Sequence, residues 1–294
     1  MARRRWPRIL AYVFGALVLL VVVAYVVASS RIDRALSKRY PIAAVSLPTS
    51  DSTSLARGAH LSQTLGCPEC HGGDLGGKLM GDAPPFRLET INLTRGTGGV
   101  GAQLTPAAFE HAVRRGVGHD GRPLVVMPRF ALSDADVVAL HAYVSSLAPV
   151  NRQAGGVVIK PLGKLIFGLG GIPDFHPDQI GKGTFAATTP TGATAEHGQY
   201  WVNVTCRHCH GEDLRGAQPP NPDSPAAPSL EPSSRWSDAQ FATAMREGVR
   251  PSGPKMDSTF MPWTYFRHMT DEEVQAVHAY LKDHFGGGTR TAHR

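Results

Sequence analysis

The longest apolar stretch of the chain lies close to its start. No residue from Ile9 to Ala28 carries a charge. As an α-helix rising about 1.5 Å per residue, this stretch would extend about 30 Å, the thickness of the hydrocarbon core of a bilayer. Basic residues flank both ends: Arg3, Arg4, Arg5 and Arg8 before the stretch, and Arg31, Arg34, Lys38 and Arg39 after it. A cleaved signal peptide is the alternative, but its apolar region is normally about 7–15 residues long, so we expect an uncleaved transmembrane anchor over residues 9–28.

Two stretches farther along have the apolar spacing of amphipathic helices. Their apolar positions are Val137, Leu140, Val144 and Leu147 in the first stretch, and Val274, Val277 and Leu281 in the second. Ser133 and Thr270 lie just before these stretches and are followed by acidic residues, as is typical of a helix N-terminus. Thr105 and Ser237 are candidate N-caps of two more helices. No set of alternating strands is recognisable, and only residues 156–160 could form a short strand or turn, so the pattern predicts an all-α fold.

The two amphipathic stretches are parts of an internal repeat. Residues 133–137 read S-D-A-D-V, and residues 270–274 read T-D-E-E-V. The H-A-Y-V of residues 141–144 likewise recurs as H-A-Y-L at residues 278–281. The same offset along the chain relates both pairs of segments. The chain therefore contains one module twice.

The repeat divides the chain into segments. We name residues 52–148 copy 1 and residues 190–286 copy 2. Residues 29–51 are a predicted tether, rich in Ser, Pro and Thr, between the anchor and copy 1. Residues 149–189 are a predicted linker that we expect to pack on the modules, and residues 287–294 are a tail.

All four cysteines lie in two runs with the spacing C-x-x-C-H, at Cys67–His71 and Cys206–His210. That spacing is typical of covalent haem attachment. On one helical turn, cysteines at i and i+3 and a histidine at i+4 project to the same side, so the thiols can bond one edge of a haem while the imidazole reaches its iron. A redox dithiol, a zinc site and two disulfides are the alternatives. The first needs a βαβ context that the pattern lacks, and zinc ligands usually come from one compact region, whereas these two runs lie far apart in the chain.

The two runs predict two covalently bound haem c groups, and the sixth iron ligand then decides between electron transfer and catalysis. A Met-Pro pair follows each histidine at a similar distance along the chain, as Met127-Pro128 after His71 and as Met261-Pro262 after His210. A thioether opposite a histidine raises the reduction potential and closes the iron to substrates. The predicted haem-binding residues are Cys67, Cys70, His71 and Met127 in copy 1, and Cys206, Cys209, His210 and Met261 in copy 2, with the histidines and methionines as the iron ligands.

Other methionines and histidines offer alternatives to this ligand set. A methionine can also fill a gap in a core, and the chain has seven. Met256 is the one rival axial ligand that we retain. The other candidate histidines are interpreted as hydrogen-bonding or surface groups: His60, His119, His141, His197 and His278.

The formal charge of +6 is concentrated at the start of the chain. Eight of the 30 basic residues and one of the 24 acidic residues, Asp33, lie in the first 40 positions. The rest therefore has 22 basic and 23 acidic residues, a net charge of −1. Because a nucleic-acid-binding domain carries a basic face, this balance excludes that class of partner. The basic residues beside the apolar stretch suit lipid headgroups instead.

Both copies resemble class I cytochrome c domains. The shared features are the C-x-x-C-H turn, the Met-Pro pair, a glycine in the first helix (Gly58 and Gly198) and an Ala-Tyr pair in the last (ending at Tyr143 and Tyr280). A glycine that faces an aromatic residue lets two helices cross closely. The resemblance implies two tandem cytochrome c-type helical domains behind an N-terminal transmembrane helix.

Three segments are more narrowly similar to the cytochrome subunits of membrane-bound alcohol and gluconate dehydrogenases. They read N-L-T at residues 92–94, D-G-R-P-L at 120–124 and S-D-A-D at 133–136. Such subunits pass electrons from a periplasmic flavoprotein or quinoprotein dehydrogenase to quinone. They commonly carry three haem domains and a C-terminal membrane segment, whereas this chain has two C-x-x-C-H runs and an N-terminal apolar stretch. In the family a proline often supports the proximal histidine, and Pro84-Pro85 and Pro228 fall in that region.

Two six-coordinate haems predict an electron carrier, not an enzyme. Haem attachment is completed outside the bacterial cytoplasm, so we expect one N-terminal span in the inner membrane and haem domains in the periplasm. The expected partners are the membrane and a redox protein, either a dehydrogenase, an oxidase or another cytochrome. A dihaem enzyme of the peroxidase or thiosulfate-oxidising type is the alternative, and it would need an open axial site. A dihaem subunit of a haem–copper oxidase is a third interpretation, which keeps electron transfer.

Overall fold

The computed structural model describes residues 6–49, 53–170, 180–219 and 224–286. The predicted tail, Arg3, Arg4 and Arg5, and parts of the predicted tether and linker lie outside these ranges. The helices are α1 (Trp6–Ser37), α2 (Ser54–Thr64), α3 (Cys67–His71), α4 (Pro106–Arg115), α5 (Asp134–Ser146), α6 (Pro161–Gly170), α7 (Ala195–Trp201), α8 (Arg207–His210), α9 (Asp238–Glu247), α10 (Trp263–Phe266) and α11 (Asp271–Gly286). The strands are β1 (Leu79–Asp82), β2 (Phe86–Glu89) and β3 (Val157–Ile159). A π-helical turn, Val202–Cys206, joins α7 to α8, and a 3-10 helix, Glu231–Arg235, precedes α9.

Helix α1 contains the predicted anchor and continues beyond it to Ser37. Within the described part of the chain it is the one helix that is long and apolar enough to cross a membrane. Its buried residues are Ala28 and Ile32, and most of its other apolar side chains are exposed. A helix that is apolar on all sides is typical of a core or of a lipid environment.

The segments on either side of copy 1 lie against its surface. After α1, the backbone N–H of Tyr40 donates a hydrogen bond to the carbonyl of Gly121, at 2.8 Å. In the linker, the N–H of Gly181 donates to the carbonyl of Arg115, at 3.0 Å. The described parts of the tether and of the linker are therefore held by copy 1.

Each copy has the expected order of a first helix, a C-x-x-C-H turn, a central helix and a last helix. These are α2, α3, α4 and α5 in copy 1, and α7, α8, α9 and α11 in copy 2. The predicted N-caps are confirmed, because each hydroxyl accepts a hydrogen bond from the backbone N–H three residues later, at 3.1–3.2 Å. They are Thr105, Ser133, Ser237 and Thr270. Short polar caps thus fix where the central and last helices begin.

The two predicted helix crossings are present. Helix α2 crosses α5 so closely that a Cβ on Gly58 would overlap the carbonyl oxygen of Ala139 and would lie 2.7 Å from the Cβ of Tyr143. Gly198 of α7 has the same relation to the backbone of α11 and to Tyr280. Because a side chain at either glycine would separate the helices, these two positions set the distance between the first and last helices of each copy.

The buried apolar side chains of both copies form one cluster. Its fully buried members include Leu61 and Leu140 from copy 1, and Trp201 and Leu281 from copy 2. Burial of each such side chain stabilises the fold by about 1.5–3 kcal/mol. The apolar cores of the two copies are therefore continuous.

The all-α prediction needs one correction, because a small antiparallel sheet is present. Strands β1 and β2 form a hairpin, and β3 comes from the linker and pairs with β2, with Phe86 opposite Ile159 and Leu88 opposite Val157. Strand β3 lies within residues 156–160, where the sequence allowed a short strand. The hairpin was not predicted, because its strands have four residues each without a buried and exposed alternation, and because the pairing with β3 joins distant parts of the chain.

Candidate haem-binding site

The first C-x-x-C-H run forms the short helix α3, as the spacing predicted. It begins after Gly66, whose left-handed φ of 71° permits a sharp change of direction. It ends at His71 and is followed by Gly72, with φ 84°. Cys67 and Cys70 are half-buried, and none of the four cysteines is in a disulfide. Among the described residues, no group of three or more His, Cys, Asp and Glu side chains is arranged to hold a metal ion by itself.

Both predicted proximal histidines, His71 and His210, are held through the same ring nitrogen. His71 Nδ1 lies 3.0 Å from the carbonyl oxygen of Ile91, and His210 Nδ1 lies 2.7 Å from that of Pro228. Because a carbonyl only accepts, Nδ1 carries the proton in each ring. The remaining nitrogen, Nε2, therefore keeps its lone pair, which is the form of histidine that binds a metal.

Burial also favours the neutral form of these histidines. It lowers the pKa of His71 and of His210, and the hydrogen bonds from the rings to Ile91 and Pro228 offset this only in part. A neutral imidazole with a fixed tautomer is ready to ligate iron without first losing a proton.

The loop after each histidine explains why the accepting carbonyls lie in place. Leu75 and Leu214 are the two residues other than glycine with positive φ in the described chain, at 51° and 60°. Both are buried, and their carbonyls accept hydrogen bonds from the backbone N–H groups of Leu93 and Leu230, each at 2.9 Å. These bonds fix the two segments that present the carbonyls to the histidines.

The sequence signal for this loop was missed. Residues 72–77 read G-G-D-L-G-G, and residues 211–216 read G-E-D-L-R-G. The carboxylates of Asp74 and Asp213 each accept a hydrogen bond from the backbone N–H two residues later, at 2.9 and 3.0 Å. This is the local turn that Asp commonly makes. The shared G-x-D-L-x-G run therefore encodes the support of the histidine.

The expected supporting proline is present in one copy only. Pro228 supplies the carbonyl that accepts from His210. Pro84-Pro85 lies in the turn between β1 and β2, where the carbonyl of Pro85 accepts from the N–H of Lys160 at 3.0 Å. In copy 1 the accepting residue is Ile91. The role therefore depends on a backbone carbonyl, which residues other than proline can provide.

The two predicted axial methionines lie in equivalent segments. Met127 is in the irregular segment between α4 and α5, and Met261 shortly precedes α10. Both are half-buried and pack against the apolar core. Met256, the rival, is half-buried in a loop whose backbone bonds to Gly248. The axial roles of Met127 and Met261 remain predictions.

Three of the other candidate histidines are engaged with protein atoms. His141 Nε2 lies 2.7 Å from the carbonyl of Leu104. His278 lies between the carboxylate of Asp238 and a backbone carbonyl, at 2.7 and 3.1 Å. His197 contacts the carbonyl of Gly192 and accepts from the indole N–H of Trp201. Their interpretation as hydrogen-bonding groups is consistent with these contacts.

A cluster of charged and polar side chains joins the two copies, and sequence reasoning missed it. The Arg57 guanidinium binds Asp136 of α5 at 2.9 Å and Glu273 of α11 at 2.7 Å. His60 Nε2 lies 2.8 Å from Glu273. The hydroxyl of Tyr200 donates to Asp136 at 2.7 Å. We name these five residues the interface cluster.

The charges of the interface cluster are strongly coupled. Burial alone would raise the pKa of Glu273, but His60, the N–H of Thr270 and Arg57 outweigh it and lower the pKa to about 2. Burial opposes the charge of Arg57 as well, but Asp136 and Glu273 raise its pKa overall. A buried ion pair of this kind contributes orientation more reliably than stability. The cluster therefore defines how copy 2 sits on copy 1.

A second contact between the copies involves the first C-x-x-C-H turn. Tyr265 of α10 packs on this turn, and a Cβ on Gly66 would lie 2.6 Å from its ring. Burial raises the pKa of Tyr265, and the nearby Cys70 and Glu69 add to that effect. Tyr265 lies one helical turn beyond Met261 in the sequence. The methionine segment of copy 2 therefore adjoins the attachment turn of copy 1.

Comparison with known families matches each copy separately. Residues 195–284 match the family described as Cytochrome c. Residues 53–144 match the family described as Cytochrome C oxidase, cbb3-type, subunit III. These limits lie close to the ends predicted for copy 2 and copy 1.

Curated relatives include cytochrome subunits of dehydrogenases. The quinone-type alcohol dehydrogenase cytochrome c subunits of Gluconacetobacter polyoxogenes and Komagataeibacter europaeus are each 27% identical over 270 residues, which cover 80% of this chain and 57% of the relative. A nicotinate dehydrogenase subunit of Pseudomonas putida is 31% identical over 234 residues, covering 72% of this chain and 18% of the relative. The chain thus spans little more than half the length of the alcohol dehydrogenase subunits.

The chain therefore contains cytochrome c domains and is related in sequence to the cytochrome c subunits of dehydrogenases. The resemblance to alcohol dehydrogenase subunits is confirmed. Cytochrome c domains imply covalently bound haem c. The residues present fit that group, because each C-x-x-C-H turn offers two thiols outside any disulfide and one neutral imidazole whose Nε2 keeps its lone pair.

Proposed function

We propose that the chain is a dihaem c-type cytochrome that passes single electrons between a periplasmic donor and a respiratory acceptor. The observation that carries the proposal is the equivalence of the two C-x-x-C-H turns. In both copies the histidine Nδ1 donates to a backbone carbonyl. The segment that contains this carbonyl is hydrogen-bonded to a leucine of positive φ. Two separate turns with the same support favour two equivalent attachment sites.

When bound, haem supplies an iron that gains and loses one electron. The protein's part is to hold it and to set its environment. The thiols that would hold the two haem groups are those of Cys67, Cys70, Cys206 and Cys209. The side chains that would ligate the irons are those of His71, His210, Met127 and Met261. Methionine ligation favours the reduced state and leaves no position for a substrate. This arrangement favours electron transfer over catalysis.

The contacts between the copies support electron transfer within the chain. Tyr265, beside the methionine segment of copy 2, packs on the turn that contains Cys67 and Cys70. The interface cluster joins the same two modules through Arg57 and Glu273. A fixed geometry between two redox sites keeps their separation constant, which a flexible tether between domains would not do.

Helix α1 supports attachment to the bacterial inner membrane. Its exposed apolar residues suit lipid, and haem attachment is completed outside the cytoplasm, so the modules would be periplasmic. Tethering raises the local concentration of a membrane-bound partner. A near-neutral periplasmic part, with 22 basic and 23 acidic residues after position 40, is consistent with a partner reached by tethering more than by charge.

The three curated relatives named above favour a dehydrogenase as the donor, because each is a subunit of a dehydrogenase. A second candidate is a role as an electron-transfer subunit of a haem–copper oxidase. The match of residues 53–144 to the cbb3-type subunit III family favours it. Co-purification separates the two, because a dehydrogenase or a copper-containing oxidase would be recovered with the full chain from mildly solubilised membranes.

The proposed chemistry is tested by spectroelectrochemical titration of the full chain in detergent. We expect two one-electron transitions, low-spin spectra in both redox states and a near-infrared sulfur-to-iron band in the oxidised state. The native reduced protein should not bind carbon monoxide. A high-spin iron that binds carbon monoxide in the untreated protein would contradict the carrier function for that site and would favour an enzyme.

A further inference from the structure

The linker contains an apolar helix that the proposed electron transfer does not explain. Helix α6 has the sequence P-L-G-K-L-I-F-G-L-G, with Lys164 as its one charged residue. It lies between the two cytochrome modules in the chain and has few polar groups to place in water. Its position relative to α1 explains its composition.

Helix α6 packs on the end of α1. A Cβ on Gly168 would overlap the carbonyl oxygen of Ala28, and Ala28 and Ile32 are the buried residues of α1. Lys164 Nζ lies 2.8 Å from the carboxylate of Asp33. The contact therefore lies at the end of the apolar stretch 9–28, where it gives way to charged residues.

Helix α6 also has an apolar face that is exposed. Leu162, Ile166 and Leu169 are 47%, 49% and 60% exposed and follow the spacing i, i+4, i+7, so they share one face. Val26 and Val27, at the adjacent end of α1, are 54% and 48% exposed. The exposed apolar surface at this end of α1 therefore extends onto the adjacent exposed face of α6.

Helix α6 is fixed to copy 1 as well. The ring of Phe167 lies 6.5 Å from that of Phe86 on β2. A Cβ on Gly163 would overlap the carbonyl of Pro85. Just before the helix, Lys160 forms an ion pair with Asp82. Any surface that binds α6 therefore also fixes the position of the sheet and of copy 1.

We propose that α6 lies in the membrane–water boundary of the bilayer that α1 spans, as a second membrane contact that fixes the orientation of copy 1. The inference rests on the proposed anchoring by α1. The occupant of the exposed face is lipid, because the face is continuous with the lipid-facing surface of α1. An interfacial helix buries its apolar face about 5–10 Å into the headgroup and acyl boundary. The Lys164–Asp33 pair would lie at the headgroup level, where a lysine can extend toward water.

The proposal is tested with nitroxide labels on the full chain in lipid nanodiscs. Single cysteines are introduced by Ile166→Cys and Leu162→Cys, with Val18→Cys as the reference for the span and Lys282→Cys on α11 as the aqueous reference. The unsubstituted chain should take up no label if its four cysteines carry haem. Collisions of each label with oxygen, which concentrates in lipid, and with a polar nickel chelate, which is excluded from it, are measured by electron paramagnetic resonance.

We expect the ratio of oxygen to nickel collisions at residues 162 and 166 to be severalfold above that at residue 282 and below that at residue 18. Values at 162 and 166 equal to that at 282, with residue 18 immersed, would overturn the proposal and leave the anchor intact. An aqueous value at residue 18 would overturn both the anchor and the inference.

Discussion

His60 of copy 1 lies 2.8 Å from Glu273 of copy 2, and the equivalent contact in the other direction joins Tyr200 of copy 2 to Asp136 of copy 1 at 2.7 Å. Asp136 and Glu273 occupy the same position of the repeat. Each first helix therefore binds the start of the other copy's last helix. The two modules of this single chain are therefore arranged like the two subunits of a two-fold symmetric dimer.

Removing Arg57 from the interface cluster should loosen the two copies. In the Arg57→Met variant, two carboxylates that are almost fully buried lose a charged partner, which we expect to cost about 2–3 kcal/mol. Unfolding in urea, followed by tryptophan fluorescence, measures this. Arg235→Met is the matched control, because Arg235 is 74% exposed in its pair with Glu231. An equal loss in both variants would show that the interface cluster does not stabilise the assembly.

The low pKa of Glu273 predicts how stability depends on pH. Its folded value of about 2 lies below the ordinary 4.5, so its contribution is complete above pH 4.5 and is lost as the pH falls toward 2. The unfolding free energy of the unsubstituted chain should therefore fall more steeply over this range than that of Glu273→Gln. Parallel curves for the two proteins would contradict the assigned role of Glu273.

A methyl group at either helix crossing should damage its own copy. Gly58→Ala and Gly198→Ala each force a Cβ against a backbone carbonyl, and such overpacking typically costs about 1–3 kcal/mol. Gly73→Ala is the control, because a Cβ there meets nothing within 4 Å. Thermal unfolding of the three variants is the measurement. A control as unstable as the two crossing variants would mean that the close approach is not what matters.

Replacement of either proposed axial methionine should leave one haem iron without its sixth ligand. In Met127→Ala and in Met261→Ala, we expect one haem of the two to bind carbon monoxide and the sulfur-to-iron band to fall by half, because the thioether is lost. Met256→Ala, at the rival position, should leave both spectra unchanged. A loss of the band in Met256→Ala, with no change in Met261→Ala, would exchange their roles.

The residues that could be located from the sequence belong to short local motifs or recur in the internal repeat. Cys67–His71 and the N-cap Ser133 are defined by spacings of a few residues, and Gly58 was found through its recurrence as Gly198. The β2–β3 pairing and the interface cluster depend on how distant segments dock. Arg57 and Glu273 are ordinary surface residues by local pattern, and only the packing of one copy on the other brings them together. The leucines of positive φ were signalled by the shared G-x-D-L-x-G run and were overlooked.

The mass of the denatured full chain tests the central claim most directly. After the noncovalent cofactors are removed, the account predicts a mass that exceeds the polypeptide by two haem groups. The Cys67→Ala/Cys70→Ala and Cys206→Ala/Cys209→Ala variants should each retain one. A mass with one haem or none in the unsubstituted chain, matured in a host that attaches haem c, would contradict the account.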